Sequence, residues 1–233
     1  DYFSLCYSFW RKGSRNSIKT ITIDGVVLSV KSFKVPHLVN SIAYRYFRKS
    51  KARRSFENAL TLLNMGIGTP EPVAYFENST IFGLKESYYV CAHLQPDFTF
   101  RELVHQPELP NHEIILREFT RFCWELHRNG IEFKDHSPGN TLILKTDDSY
   151  QFFLVDLNRM VFHKQMPFDL RMKNLSRLTP KKEMVMIMSD AYAQCSGEDP
   201  DKIFKTLWHY TQSFQQRFHN KKKWKKRIGI AKR

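Results

Sequence analysis

The 233-residue sequence has no run of apolar residues approaching the 18 or so that a membrane-spanning helix needs, and no charged-then-apolar leader opens it. Its four cysteines (Cys6, Cys91, Cys123 and Cys195) are scattered and show no Cys-x-x-Cys spacing. That excludes a zinc ribbon and a disulfide-built scaffold, and it reads as single buried thiols in a reducing compartment. The nine histidines form no His-Glu-x-x-His or His-x-x-x-His pattern, so no transition-metal site is expected. A Gly-x-Ser-x-Gly turn, the mark of a common hydrolase nucleophile, is missing as well. Glycine (9) and proline (10) are too few for a collagen-like or low-complexity chain. What remains is a globular chain, 42% apolar and 26% charged. It is long enough to bury roughly 70% of its unfolded surface without a staple. A cytoplasmic protein is expected.

Acidic residues are scarce at both ends. Residues 1–56 hold 12 basic and 2 acidic side chains, and 221–233 hold 8 basic and none acidic. The middle, 57–220, holds 17 basic and 21 acidic, so the overall +14 comes from the flanks. Such flanks suit a polyanionic partner: phosphate, a membrane surface or nucleic acid.

Residues 18–23 and 26–33 are β-branched and apolar-rich, and Asp24-Gly25 between them is a strong two-residue hairpin signal. Pro36 ends the second strand, and a helical stretch from about Ser41 restarts at Ser50, which can cap the next helix. Phe56, Leu60 and Leu63 recur there at helical spacing until Gly66. A stiff turn, Gly66-Ile67-Gly68-Thr69-Pro70-Glu71-Pro72, leads to strands expected over 73–76 and 81–93. After the connector Leu94-Gln95-Pro96-Asp97 the pattern becomes mainly helical, with Phe119, Phe122, Cys123 and Leu126 on one face of a helix over 113–129. Short strands over 141–144 and 152–155 bracket Asp147-Asp148, and helices dominate from about 181 to 218. Strands and helices in separate blocks predict an α+β chain of two lobes. The expected division is an N-terminal lobe, 1–94, a helical lobe, 95–220, and a basic tail, 221–233.

The most informative stretch is Ile131-Glu132-Phe133-Lys134-Asp135-His136-Ser137-Pro138-Gly139-Asn140, followed by a strand ending in Phe153-Leu154-Val155-Asp156-Leu157-Asn158. It supplies a carboxylate, an amide five residues later, and a second carboxylate leaving an apolar strand. Phosphoryl transfer to a hydroxyl needs such a set: Asp135 to take or orient the proton, and Asn140 with Asp156 to hold Mg²⁺ against the phosphates. Taken singly, Asp-x₄-Asn is common and Asp156 could simply cap the next segment. Lys31 closes Val27-Leu28-Ser29-Val30-Lys31, comparable with the Val-Ala-Ile-Lys strand that sets a lysine on ATP phosphates. Lys34 is its competitor. Glu57, the one acidic residue between Gly25 and Glu71, is the available anchor for that lysine. His136 reads as an ordinary loop histidine.

The order Lys31, Glu57, Asp135, Asn140, Asp156 resembles the protein-kinase-like superfamily. The stretch from Ser50 to Glu57 and the Gly66-to-Pro72 turn are similar to the lipopolysaccharide core kinase family, the Kdo and heptose kinases. The resemblance implies a two-lobed kinase-like fold, with an N-terminal antiparallel sheet lobe carrying one main helix and a helical C-terminal lobe. It implies ATP and Mg²⁺ as cofactors, with Lys31 on the phosphates, Glu57 holding Lys31, Asp135 as catalytic base and Asn140 and Asp156 on the metal. The implied acceptor is a sugar hydroxyl of the lipid-linked inner core, Kdo before heptose. Departures are plain: Phe133 stands at the His-Arg-Asp histidine, and Asp156-Leu157-Asn158 at Asp-Phe-Gly. In place of a Gly-x-Gly-x-x-Gly loop there is only Gly13, with Arg15 beside it to help cover the nucleotide. No Ala-Pro-Glu segment is evident, which favours a small-molecule or glycolipid acceptor over a peptide.

The tail Lys221-Lys222-Lys223-Trp224-Lys225-Lys226-Arg227 reads as a solvated end, as a peripheral contact with anionic lipid at the inner face of the cytoplasmic membrane, or, least, as a nucleic-acid contact. Rival functions are a kinase acting on protein or on a small antibiotic, and a binding module of degenerate kinase fold.

Overall fold

The structure, a computed structural model, describes residues 6–12, 16–35, 37, 42–44, 46–81 and 83–227. The chain forms two compact units, Asp1–Pro96 with Phe153–Met160, and Asp97–Phe152 with Val161–Arg233. A linear boundary at 94/95 is therefore replaced by a discontinuous one. The return of the 153–160 segment has a local cause: Leu154 is hydrogen-bonded through its N–H to Gly68 O (2.9 Å) and through its carbonyl to the Thr69 hydroxyl (2.8 Å).

In the first unit, five antiparallel strands lie in the order β1 (Cys6–Lys12), β2 (Asn16–Ile23), β3 (Val26–Phe33), β5 (Gly83–Ala92), β4 (Pro72–Thr80). The β2–β3 hairpin closes on Asp24 (φ 49°) and Gly25 (φ 78°), the left-handed pair that a two-residue turn between right-twisted strands requires. Strand β1 was not expected from the sequence. Strand β3 is central, so Lys31 faces Ile18 of β2 on one side and Tyr89 of β5 on the other. Of the helical stretch expected from Ser41, residues 42–44 and 46 are helical, while Pro36 and Ser41 lie outside the described residues.

Helix α1 (Lys51–Asn64) begins where expected, with Ser50 Oγ accepting from Arg53 N–H (3.0 Å). It ends in a Schellman arrangement: Ile67 N–H bonds Leu62 O (2.9 Å), Gly66 N–H bonds Leu63 O (3.0 Å), and Gly66 takes φ 72°. Its buried face differs from the expected one. Ala52, Ser55, Ala59 and Leu62 are buried, whereas Leu60 and Leu63 are about 40% exposed (43% and 39%). Small side chains let the helix backbone lie close to its neighbours, and size overrides hydrophobicity in choosing the face. Phe56, between the two faces, packs its ring on Tyr75 (5.3 Å).

The second unit opens with β6 (Phe98–Thr99) and α2 (Phe100–His105), joined by a capping box between Thr99 and Glu102. Then follow, in chain order and through the 153–160 segment of the first unit, α3 (His112–Arg128), β7 (Ile131–Phe133), β8 (Thr141–Lys145), β9 (Tyr150–Leu154), β10 (Met160–Phe162), α4 (Phe168–Leu175), α5 (Lys182–Ser196) and α6 (Pro200–Arg227). The strands pair as β6-β8-β9 and β10-β7. Helix α3 buries Phe119, Cys123 and Leu126 as its spacing predicts, with Phe122 only partly buried; Phe119 and Cys123 share one core with Phe100, Ile143, Met172, Met188 and Tyr192. Helix α4 has no clear signature in the sequence. The expected separate tail is also corrected: residues 221–227 continue α6, with Trp224 60% exposed, while 228–233 lie outside the described residues. Cys123 is buried as expected, but Cys91 and Cys195 are only partly so; all three are free thiols. Among the described residues, no helix is long and apolar enough to cross a membrane.

Two left-handed glycines separate backbone strain from steric approach. A Cβ on Gly66 would meet nothing within 4 Å, whereas on Gly130 it would stand 2.0 Å from His163 O. Gly66→Ala should therefore lower stability by about 1 kcal/mol, the cost of the left-handed backbone. Gly130→Ala should cost more than about 2 kcal/mol, because backbone must move. Urea midpoints of the two variants give the comparison, and equal losses would contradict the close Gly130–His163 approach.

Candidate active site

In the first unit, the Lys31 ammonium lies 2.7 Å from Asp156 Oδ1, with side-chain exposures of 14% and 29%. The Phe33 ring lies 5.4 Å from the ammonium. Lys34, its competitor in the sequence, is exposed. Asp156 follows β9 with φ 64° and ψ 47°, a left-handed conformation that Asp tolerates better than most residues. Its surroundings hold it there. Leu154 is fixed by Gly68 and Thr69, the Leu157 carbonyl accepts from Asn58 Nδ2 (2.7 Å), and Asn158 Nδ2 donates to Asp156 Oδ1 (2.6 Å). The Gly66-to-Pro72 turn thus clamps the strand that delivers Asp156.

Glu57 does not hold Lys31 in this structure. It accepts from Lys49 Nζ (2.8 Å) and Arg53 Nε (2.9 Å). Partial burial pushes its carboxyl up, but the hydrogen bonds and charges of Lys49 and Arg53 together outweigh that and hold it below the ordinary range. Gly13 and Arg15 lie outside the described residues. Near Lys31, burial pushes the Cys91 thiol up to about 11, with Tyr89 and Lys31 opposing the shift, so the thiol stays protonated and unreactive.

In the second unit, Asp135 lies between β7 and a 3-10 turn, Pro138–Asn140. Asn140 Nδ2 donates to the Asp135 carbonyl (2.8 Å), and Asn140 N–H to Ser137 O (2.9 Å), which folds the Asp-x₄-Asn segment back on itself. The first of these bonds uses the amide nitrogen and leaves Oδ1 of Asn140 to accept or ligate. The structure therefore brings Lys31 to Asp156, and Asn140 to the Asp135 backbone, each pair within one unit. Among the described residues no three His, Cys, Asp or Glu side chains cluster to hold a metal. Asp156 and the Asn140 amide oxygen, each within its own unit, are oxygen donors of the hard kind that Mg²⁺ favours, an ion that commonly takes one or two protein oxygens and completes its shell with phosphate and water.

The loop before Asp135 hangs on a buried, directional chain that the sequence does not announce. Arg171, paired with Glu198 (2.6 Å), donates to Tyr192 Oη (3.2 Å), and Tyr192 lies 2.9 Å from His127 Nδ1. His127 Nε2 lies 3.2 Å from Asn174 Oδ1, and Asn174 Nδ2 donates to the Phe133 carbonyl (2.8 Å). Because Asn174 presents its oxygen, Nε2 carries the proton and Nδ1 accepts from Tyr192. Arg177 adds a bond to the Lys134 carbonyl. These residues were missed because their signal is tertiary: Arg171, Asn174, His127 and Tyr192 are polar side chains among apolar neighbours on three helices, and Arg177 and Glu198 lie in the segments that follow helices.

His136 lies in a loop, as expected, but inside the protein. It is fully buried, its ring tilted against those of Phe133 (5.4 Å) and Phe119 (5.9 Å), with no hydrogen-bond partner for either ring nitrogen. Burial drives its pKa down to about 4, and that of His127 down to about 3, opposed in both cases by Asn174.

Both histidines titrate lower in the folded chain than near 6.5 in the unfolded one, so the unfolded state binds more protons below that pH. Their contribution is complete above about 6.5 and is lost as pH falls toward 4 and then 3, at up to about 1.4 kcal/mol per pH unit for each group. Urea midpoints at pH 7.5 and 5 should show the fall, and His136→Phe should flatten it; a pH-independent midpoint would contradict the buried neutral rings. For the Lys31–Asp156 pair, a cycle of Lys31→Met and Asp156→Asn should yield a coupling of about 1 kcal/mol in unfolding. Additive single effects would mean that the two side chains do not meet.

No curated relative matches the chain. The solved structure of WaaP in complex with acyl carrier protein is similar at a TM-score of 0.64, with 16% identity over 92% of this chain and 89% of that one. A MAP kinase of Leishmania major, LmaMPK10, matches at a TM-score of 0.48 and 15% identity, over 88% of this chain and 61% of that one. The first likeness makes the fold protein-kinase-like, an N-terminal antiparallel sheet followed by a helical C-terminal part. The model of the lipopolysaccharide kinase (Kdo/WaaP) family matches residues 26–205, which include Lys31, Glu57, Asp135, Asn140 and Asp156. The chain belongs to the lipopolysaccharide kinase (Kdo/WaaP) family.

Proposed function

We propose that this protein transfers the γ-phosphate of ATP to a hydroxyl of Kdo in the lipopolysaccharide inner core or its lipid A precursor, with heptose as the alternative acceptor. The observation that carries the reading is the 2.7 Å pairing of Lys31 with Asp156, in a chain whose family phosphorylates lipopolysaccharide. A lysine set on phosphates and a carboxylate set on their counter-ion need one another's charge when the nucleotide is away, and part when it binds. In this reading Lys31 neutralises phosphate oxygens, and Asp156 with the Asn140 amide oxygen holds Mg²⁺. Bound there, the ion would draw charge from the transferring phosphoryl group.

The Asp135 carboxylate takes the proton of the acceptor hydroxyl as its oxygen bonds to the γ-phosphorus, and the bond to the bridging oxygen breaks to leave ADP. Glu57, expected to hold Lys31, pairs instead with Lys49 and Arg53 and has no part in the proposed step. Gly13 and Arg15 would cover the nucleotide. A peripheral seat at the inner face of the cytoplasmic membrane fits a lipid-linked acceptor, with Lys221, Lys223 and Trp224 near anionic headgroups.

Asp135→Asn should lower transfer from labelled ATP to isolated lipopolysaccharide by about 10²–10⁴-fold, the scale of a lost general base, while Mg²⁺-dependent ATP binding persists. Unchanged transfer would remove Asp135 from the mechanism. Transfer to peptides or aminoglycosides instead would replace the acceptor class. ATP affinity indifferent to Mg²⁺ would favour a binding module. Mass spectrometry of the product assigns the added phosphate to Kdo or to heptose.

A further inference from the structure

An open groove of about 810 Å³ runs along α6 of the second unit. Lys173 and Arg177 line one wall, from α4 and the turn after it, while His209, Tyr210, Phe214 and Arg217 line the other, from α6. We propose that this groove binds an anionic group, a sugar carboxylate or phosphate, on the saccharide acceptor. The inference rests on the kinase reading above and names where that acceptor's charge is held.

Charge is the first reason. No acidic side chain among the described residues lines the groove. Among the described residues, Lys173, Arg177 and Arg217 form no ion pair, whereas Arg117, Arg128 and Arg171 of the same unit each pair with a carboxylate. Cations gathered on one concave wall without counter-charge repel one another, and an anion entering the groove relieves all of them at once.

Their placement is the second. The Lys173 ammonium lies over the Tyr210 ring (5.0 Å to the centroid) and the Arg177 guanidinium over the Phe214 ring (5.6 Å), while Arg217 Nε donates to Ser213 O (3.2 Å). Aromatic faces hold a cation without neutralising it, so the positive groups are positioned yet keep their charge. A site assembled in this way loses little side-chain entropy on binding.

Position is the third. Arg177 donates to the carbonyl of Lys134, the residue before Asp135, so the groove abuts the loop that carries the proposed base. An anion seated on Arg177 and Lys173 leaves the remaining sugar ring and its hydroxyls beside that loop. Gln212 and Gln216, also in the lining, supply the amide donors and acceptors that sugar hydroxyls use.

The test is direct binding to the full-length chain without nucleotide, by isothermal titration calorimetry. Three probes separate the sources of charge: deacylated lipopolysaccharide core oligosaccharide, the same material after phosphate removal, and the same material with its carboxyls reduced. The doubly reversed variant Lys173→Glu/Arg217→Glu should weaken binding of the intact oligosaccharide at least tenfold, with ATP affinity unchanged. Asp135→Asn should bind like the parent chain. Loss of affinity on dephosphorylation assigns phosphate as the anion, and loss on carboxyl reduction assigns the carboxylate. Should charge reversal unfold the chain, Lys173→Gln/Arg217→Gln and the salt dependence of parent binding decide the matter in its place. Undiminished binding by the variant, salt-independent binding, or equal affinity for all three probes would overturn the inference. So would a variant that keeps the oligosaccharide but loses an acidic protein such as acyl carrier protein. Oligosaccharide binding that vanishes in the variant, while the parent transfers no phosphate to lipopolysaccharide, would refute the kinase reading and leave the groove standing.

Discussion

The carbonyl of Phe133 is the point on which the second unit's chemistry hangs. It ends strand β7, one peptide before Lys134 and two before Asp135, and it is pinned by Asn174 at 2.8 Å. Asn174 can face it in only one sense, because His127 offers a proton to the other end of the amide. That proton sits on Nε2 because Tyr192 donates to Nδ1, and Tyr192 can donate because Arg171, neutralised by Glu198, donates to it. Each buried polar group here commits its donors and acceptors to the next. The neutrality of His127, whose pKa burial lowers to about 3, is part of the same logic: a second proton would leave two donors facing and break the direction. A loop of irregular backbone is thereby held as firmly as a strand.

The first unit solves a different problem, that of placing opposite charges from distant parts of the chain. Lys31 comes from the central strand and Asp156 from a left-handed turn more than a hundred residues later. Nothing local compels them to meet. Thr69 and Gly68 grip Leu154, and Asn58 grips Leu157, so that the residues between have little freedom but to turn their carboxylate toward the sheet. Glu57 meanwhile is satisfied by Arg53, one helical turn before it, and by Lys49, just ahead of the helix, and its pairing shows how a basic-rich segment competes for a lone acid. These are partly exposed pairs, and each contributes modestly.

Much of this was legible in the sequence, and for a physical reason. The β2–β3 hairpin rests on Asp24-Gly25, whose backbone requirement is met by few other dipeptides. The start and end of α1 rest on a serine and a glycine at positions where other residues cost free energy. The face of α1 was not legible, because Leu60 and Leu63 are as hydrophobic as Leu62 and only the spacing available to small side chains decides among them. The two-residue strand β6 and three-residue strands β7 and β10 escaped for want of any period to detect. Buried polar residues such as Asn174 and His127 escaped because in sequence they look like ordinary surface residues.

Sequence alone determined the chemical inventory: a lysine after a β-branched run, an aspartate and asparagine five apart in a Pro-Gly turn, and a further aspartate after an apolar strand, in a chain with basic flanks. It also settled the order of strand-rich and helix-rich blocks, since periodicity and turn chemistry are local properties. Only the tertiary structure decided which charges pair, which histidines are buried and neutral, and that 153–160 packs with residues far upstream. Those outcomes depend on desolvation and on geometry between residues distant along the chain, and neither quantity is a function of neighbouring letters.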